Sequence, residues 1–278
     1  MQFVLFTDNL ADLTIRDACR AAKQAGFDGL DLTLRPGGHV PPENAATGLA
    51  AAHEIADREQ IIIAMVSTGI TAVDSPHAEA VIASAHHRIR NFKLGYWRYE
   101  PFGNLAAQLD VARRKLEGLV RLCTRYGIRP CVHIHSGPIL SNSSMLYLLL
   151  KDFSPGEVGA YVDCMHMSAE GALSGWEMTL DLLAPWIALV GVKNYVLQPT
   201  RRDTHGQQRY AMEYVPLADG IAPLPQFFQR LRELRYDGVV SFHSEYKKRT
   251  SRRPPLTTAQ LLEQSAADLK FLKNILNA

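Results

Sequence analysis

The chain has 278 residues, a formal net charge of +2 and a 47% share of hydrophobic residues. Its length suits one large α/β domain of ~250 residues, while the near-neutral charge argues against a nucleic-acid protein held by bulk electrostatics. No window holds the ~18 consecutive apolar residues that a membrane-spanning helix needs.

Taken in order, the segments alternate between strand and helix. Phe3–Phe6 is short, apolar and extended, and opens the fold as a strand rather than as a secretory leader. Thr14 and Asp17 have capping-box spacing at the start of a helix that Gly26 ends. Gly29–Leu34 reads as strand two, Glu43–Arg58 as an Ala-rich helix, and Ile61–Ser67 as a strand buried on both faces. Ser75-Pro76 marks a helix start, and that helix runs to about His87. Asn91–Tyr96 is strand four. Asn104 precedes a helix through Tyr126, and Arg129–His135 is strand five. Leu146–Leu150 lies in a short helix, Gly159–Asp163 is strand six, and Trp176–Ala184 is helical. Ile187–Asn194 is strand seven, Pro225–Arg235 a helix and Val239–His243 strand eight. Thr257 and Gln260 open the last helix.

This alternation implies parallel strands with crossover helices. About eight units without a linker predict a single (β/α)8 TIM barrel domain over residues 1–278. The turns that define Rossmann, P-loop and α/β-hydrolase sites are absent from the sequence. The four cysteines show no paired spacing and read as buried thiols, which places the protein in the reducing cytoplasm.

In such a barrel, catalytic groups gather at the C-terminal strand ends, and strand parity sorts them. Asp31, Thr33 and Arg35 share a face of strand two. His133 and His135 share a face of strand five. Asp163 ends strand six, with His166 just beyond. Lys193 lies at the end of strand seven, and His243 and Glu245 at the end of strand eight. Buried without a partner, Asp163 would be costly, so it is expected in the site. The segment 195–222 reads as a long loop carrying Arg201, Arg202, His205 and Arg209, and Lys247–Arg253 forms a second basic run. Loops after strands seven and eight of barrels often bind phosphate, so Arg35, Arg201, Arg202 and Arg209 are candidate contacts for an anionic substrate. A solvated face or a subunit contact would explain the same charges.

Three motifs then line up. Ala25-Gly26-Phe27-Asp28-Gly29-Leu30-Asp31-Leu32, Asp163-Cys164-Met165-His166 with Gly171, and Val192-Lys193-Asn194 together resemble the xylose isomerase-like TIM barrels. That superfamily includes sugar phosphate isomerases and epimerases, dehydratases and AP endonucleases. The resemblance implies a divalent metal held by Glu, Asp, His and Glu on strands five to eight, with the glutamates as the acid/base pair. In this chain those positions fall on His133, Asp163, Gly191 and His243. The set His133, Asp163 and His243 would suit Zn, Mn, Fe, Co or Ni better than Mg or Ca. Equally, no metal is used, and His133, His135, Lys193, His243 and Glu245 form a metal-free acid/base cluster with His166 on the substrate. The implied activity is a sugar, sugar acid or sugar phosphate isomerase or epimerase. A dehydratase or lyase on a polyol, and a carbohydrate-binding barrel without turnover, are the alternatives. The expected partner is a small carbohydrate, without nucleic acid or membrane, and a homo-oligomer is compatible with the sequence.

Overall fold

The computed structural model describes residues 1–100, 102–247 and 254–277. The basic residues Lys248, Arg249, Arg252 and Arg253 lie outside the described residues. Eight parallel strands close into a barrel: β1 (Gln2–Phe6), β2 (Gly29–Leu34), β3 (Ile62–Thr68), β4 (Asn91–Lys93), β5 (Arg129–His133), β6 (Gly159–Asp163), β7 (Ile187–Val192) and, after an excursion, β10 (Val239–Phe242), which pairs back onto β1. The helices α1 (Ile15–Gln24), α2 (Ala45–Arg58), α3 (Ala78–Ala85), α4 (Leu105–Arg125), α5 (Ser143–Leu150), α6 (Cys164–Leu183), α7 (Leu224–Glu233) and α8 (Thr258–Asn277) follow in turn. The expected barrel is therefore present.

Its local signals act as the sequence chemistry demands. Thr14 accepts from the Asp17 amide at 3.1 Å to start α1, and Gly26 ends that helix at φ +87°. Thr257 and Gln260 bond reciprocally at the start of α8, at 3.0 and 3.3 Å. Ser75 differs from expectation: its hydroxyl accepts from the Thr71 and Ala72 amides, bracing the preceding turn, and α3 starts only at Ala78. Asn104 makes no side-chain cap either.

Two larger departures matter for the site. Helix α6 begins at Cys164, directly after β6, rather than near Trp176. The segment expected as a loop after strand seven is instead an antiparallel hairpin, β8 (Asn194–Arg202) with β9 (Gln208–Val215). Its turn is set by Asp203, whose Oδ1 accepts from the amides of His205 and Gln207, and by Gly206 at φ +81°.

The hydrophobic residues divide into two bodies. A large one packs the helices around the sheet. A small one of Val4, Met65, Cys131, Tyr161, Ala188, Leu189 and Val239 draws on six different strands of the ring. Residues from so many strands meet only in the lumen, so this cluster plugs the barrel.

Candidate active site

Above the apolar plug the lumen turns polar. The Ser241 hydroxyl donates to Asp31 Oδ2 at 2.8 Å, tying β10 to β2. Burial pushes the Asp31 carboxyl up to about 7, partly offset by that hydrogen bond. Lys93 ends β4 and is paired in register with Cys131, a plug residue, so its side chain enters the lumen. Its Nζ donates to the Leu94 carbonyl at 3.0 Å and lies 3.8 Å from the centre of the Tyr96 ring.

Higher up, aromatic rings fix two buried imidazoles. His133 stacks on Tyr161 with centroids 4.1 Å apart and 17° between planes, and His243 stacks on Phe6 at 4.6 Å. The two imidazoles stand edge to face at 5.8 Å. The Tyr161 hydroxyl lies 2.8 Å from His243 Nε2, and the Tyr96 hydroxyl 2.9 Å from His133 Nδ1. Burial holds both phenols well above their usual range, so each keeps its proton. Burial, with Lys93 next for His133 and Lys193 next for His243, drives both imidazoles well below their usual range, so both are neutral.

Asp163 faces two ways. Its Oδ1 caps α6 by accepting from the Met165 and His166 amides at 2.9 and 3.4 Å, and its Oδ2 lies 3.7 Å from His133 Nε2. Among the described residues neither of these last two buried atoms has a hydrogen-bond partner. Burial lifts the Asp163 carboxyl to about 6, against the pull of Lys193.

The rim carries the remaining groups, His135 and Glu245 half-buried and His166 and Lys193 buried. His135 lies beyond the end of β5 and directs Nδ1 at the Ser136 carbonyl, 2.9 Å away, which leaves Nε2 as the basic nitrogen. Burial and then Lys193 bring its imidazole down to about 4. His166, in the first turn of α6, packs on His135 at 3.9 Å, and its Nδ1 accepts from the Ser136 amide at 3.2 Å. It therefore positions the loop that carries His135. Lys193 Nζ bonds Glu245 Oε1 at 3.0 Å and lies 5.2 Å from the Tyr214 ring of β9. Arg35 pairs with Asp8 near Phe6.

His133, His135, Asp163, His166, Lys193, His243 and Glu245 are thus brought together, as strand parity anticipates. Arg201, Arg202 and Arg209 are not. They sit toward the tip of the hairpin, where Arg209 pairs with Asp203 at 2.8 Å and Arg202 donates to the Gly206 carbonyl at 2.7 Å. At ~3.3 Å per residue, Arg201 and Arg202 lie about 25 Å along β8 from its start at the barrel. The sequence reasoning missed Lys93, Tyr96 and Tyr161. For Lys93 the signal was available: it shares a strand parity with its barrel neighbours, as His133 does with Cys131.

The implied divalent metal does not fit these residues. His243 Nε2 is taken up by a hydrogen bond with the Tyr161 hydroxyl at 2.8 Å, and position 191 has no side chain. A Cβ added at Gly191 would lie 3.0 Å from Asp163 Oδ2 and 3.2 Å from the Tyr161 ring, so the space a ligand would need there is filled. Among the described residues no three His, Cys, Asp or Glu side chains converge as a metal site.

With this geometry in view, the sequence resemblance has a firm counterpart. The chain belongs to the xylose isomerase-like TIM barrel family, whose model matches residues 19–275. No curated protein matches it in sequence. Among solved structures it is similar to a xylose isomerase-like TIM barrel protein from Mycobacterium smegmatis in complex with magnesium, with a TM-score of 0.71 at 14% identity, covering 99% of this chain and 96% of that one. It is similar to D-psicose 3-epimerase with D-tagatose from Clostridium cellulolyticum H10, with a TM-score of 0.71 at 12% identity and 99% of each chain covered. The probable 3-DHS dehydratase AsbF from Bacillus anthracis aligns with a TM-score of 0.70 at 16% identity, again over 99% of each chain. At such identities the likeness speaks for the fold alone.

Proposed function

We propose that the protein is a carbohydrate isomerase or epimerase that moves a proton beside a carbonyl, with His135 and Glu245 as the acid/base pair and Lys193 stabilising the enediolate oxygen. The observation that carries this reading is the rim itself. A neutral imidazole with a basic Nε2 lies within electrostatic reach of a carboxylate–ammonium pair held at 3.0 Å. Proton abstraction next to a carbonyl needs a base that is unprotonated at working pH and a cation where the oxygen gains charge.

His133 and His243, at the positions where the family resemblance puts glutamates, are locked by ring stacking and tyrosine hydrogen bonds. They form a fixed polar wall of the lumen. Sugar epimerases and a probable dehydratase are among the similar structures, which supports an isomerase or lyase reading for this fold. The remoteness of the arginine-rich hairpin tip favours a neutral sugar or sugar acid over a sugar phosphate. Four buried free thiols agree with a reducing compartment such as the cytoplasm. The donor set above argues for chemistry without a divalent metal.

The test is NMR-detected exchange of solvent deuterium into a panel of ketoses and sugar acids. Exchange at a carbon beside the carbonyl, lost in His135→Gln and Glu245→Gln, is the expected result. No exchange with any member would refute the assignment. An enone product would move it to the dehydratase class.

A further inference from the structure

We propose that Lys93 is an imine-forming lysine, which captures the carbonyl of an open-chain ketose or keto acid as a Schiff base. This rests on the carbonyl-directed function above and supplies what the donor set does not, an electrophilic activator other than a metal ion.

The two lysines of the lumen are built differently. Lys193 is engaged by Glu245 at 3.0 Å, its charge compensated. Lys93 is just as buried, at 2% exposure, yet among the described residues it forms no ion pair: its Nζ donates to a backbone carbonyl and lies over the face of Tyr96. The charged groups that act on it are mixed. Arg35 and Lys193 oppose its charge, while Asp31 and Asp8 favour it. Burial dominates and brings the amine down to about 7. At neutral pH about half of Lys93 is then the free amine, roughly a thousandfold more than for an ordinary lysine with a pKa near ~10.4. A desolvated lysine at the C-terminal end of a barrel strand is a recognised route to an amine nucleophile. Tyr96, half-buried at the mouth, joins this amine to His133 through its hydroxyl.

The step balances without a further reagent. The Nζ lone pair attacks the carbonyl carbon, a C–N bond forms, and the carbonyl oxygen leaves as water with the two amine protons. Protonation of the imine nitrogen gives an iminium, which withdraws electrons from the adjacent C–H bond. Water reverses the sequence and releases the sugar.

The experiment treats the intact protein with dihydroxyacetone and sodium cyanoborohydride at pH 7, followed by peptide mapping. Reduction would fix a mass increment equal to the probe less one oxygen atom. We expect this adduct on Lys93 at more than about tenfold the level on any other lysine, and its loss in Lys93→Met. An adduct spread evenly over the lysines, or none on Lys93, would overturn the proposal. Because the wild-type map needs no variant, misfolding of Lys93→Met cannot mask the answer. Deuterium exchange without the adduct would leave the isomerase reading standing and remove only Lys93. An adduct without exchange would do the reverse.

Discussion

Replacing Glu245 by glutamine removes the only carboxylate in ion-pair reach of Lys193 among the described residues. The side chains are 3% and 13% exposed, so water screens the pair weakly. At 3.0 Å and an effective dielectric of ~20, the attraction is about 5 kcal/mol before desolvation is counted. Breaking one half of a buried pair leaves an uncompensated ammonium, which costs about 3–5 kcal/mol. Lys193→Met should cost less, because the carboxylate, at 13% exposure, keeps some contact with solvent while the ammonium has almost none. The double variant should recover more than half of the glutamine loss, since the stranded charge is gone. Urea denaturation of the four proteins gives the coupling energy directly. A coupling below about 1 kcal/mol, the size found for exposed pairs, would refute the picture of a compensated buried ammonium, and with it the electrostatic role assigned to Lys193.

Other outcomes can be stated briefly. Gly191→Ala should destabilise the barrel by about 1–3 kcal/mol, because its Cβ would press on Asp163 and the Tyr161 ring; a neutral effect in thermal unfolding would show that the lumen has room for a ligand there. His135 stays unprotonated in the fold down to about 4, so the acid limb of the exchange rate should lie near 4; a limb near the ~6.5 of free imidazole would refute that environment. The sign for stability follows: between 6.5 and about 4 the unfolded imidazole binds a proton that the folded one does not, so acidification weakens folding by up to about 3 kcal/mol from this group. That loss should be smaller in His135→Gln when urea midpoints at pH 7 and 4.5 are compared. The triple variant Arg201→Ala, Arg202→Ala, Arg209→Ala should keep kcat/KM on a neutral sugar within about twofold, given the ~25 Å of strand between the tip and the barrel; a loss of tenfold or more would bring the tip into the site.

The barrel was readable because most lumen strands carry an apolar run and several helices a punctuating residue such as Thr14, Gly26 or Thr257. The site was readable where parity put a charged group at the end of such a run, as at Asp163 and Lys193. Other features hid behind residues with two readings. Tyr161 sits mid-strand among apolar neighbours and passes for core, although its hydroxyl holds His243. The start of α6 is masked by Gly171 and Gly175, poor helix formers, while Asp163, read as a strand end, is also the helix cap. The hairpin escaped because Pro199 and paired arginines interrupt its alternation, despite the turn chemistry of Asp203 and Gly206.

The stacked imidazole of His133 on Tyr161 has a further consequence for how such a barrel can change its chemistry. A two-residue advance along a strand keeps a side chain on the same wall and, at ~3.3 Å per residue and a tilt of ~36°, lifts it by about 5 Å along the axis. Cys131 and His133 are one such pair of rungs, and with His133 the strand ends. His135 stands past it on a loop, and Glu245 is turned back on His243 after β10, its amide donating to the His243 carbonyl at 2.8 Å. Ring stacking therefore fixes the last strand rung and leaves the reacting groups to the loops, without rerouting a single strand.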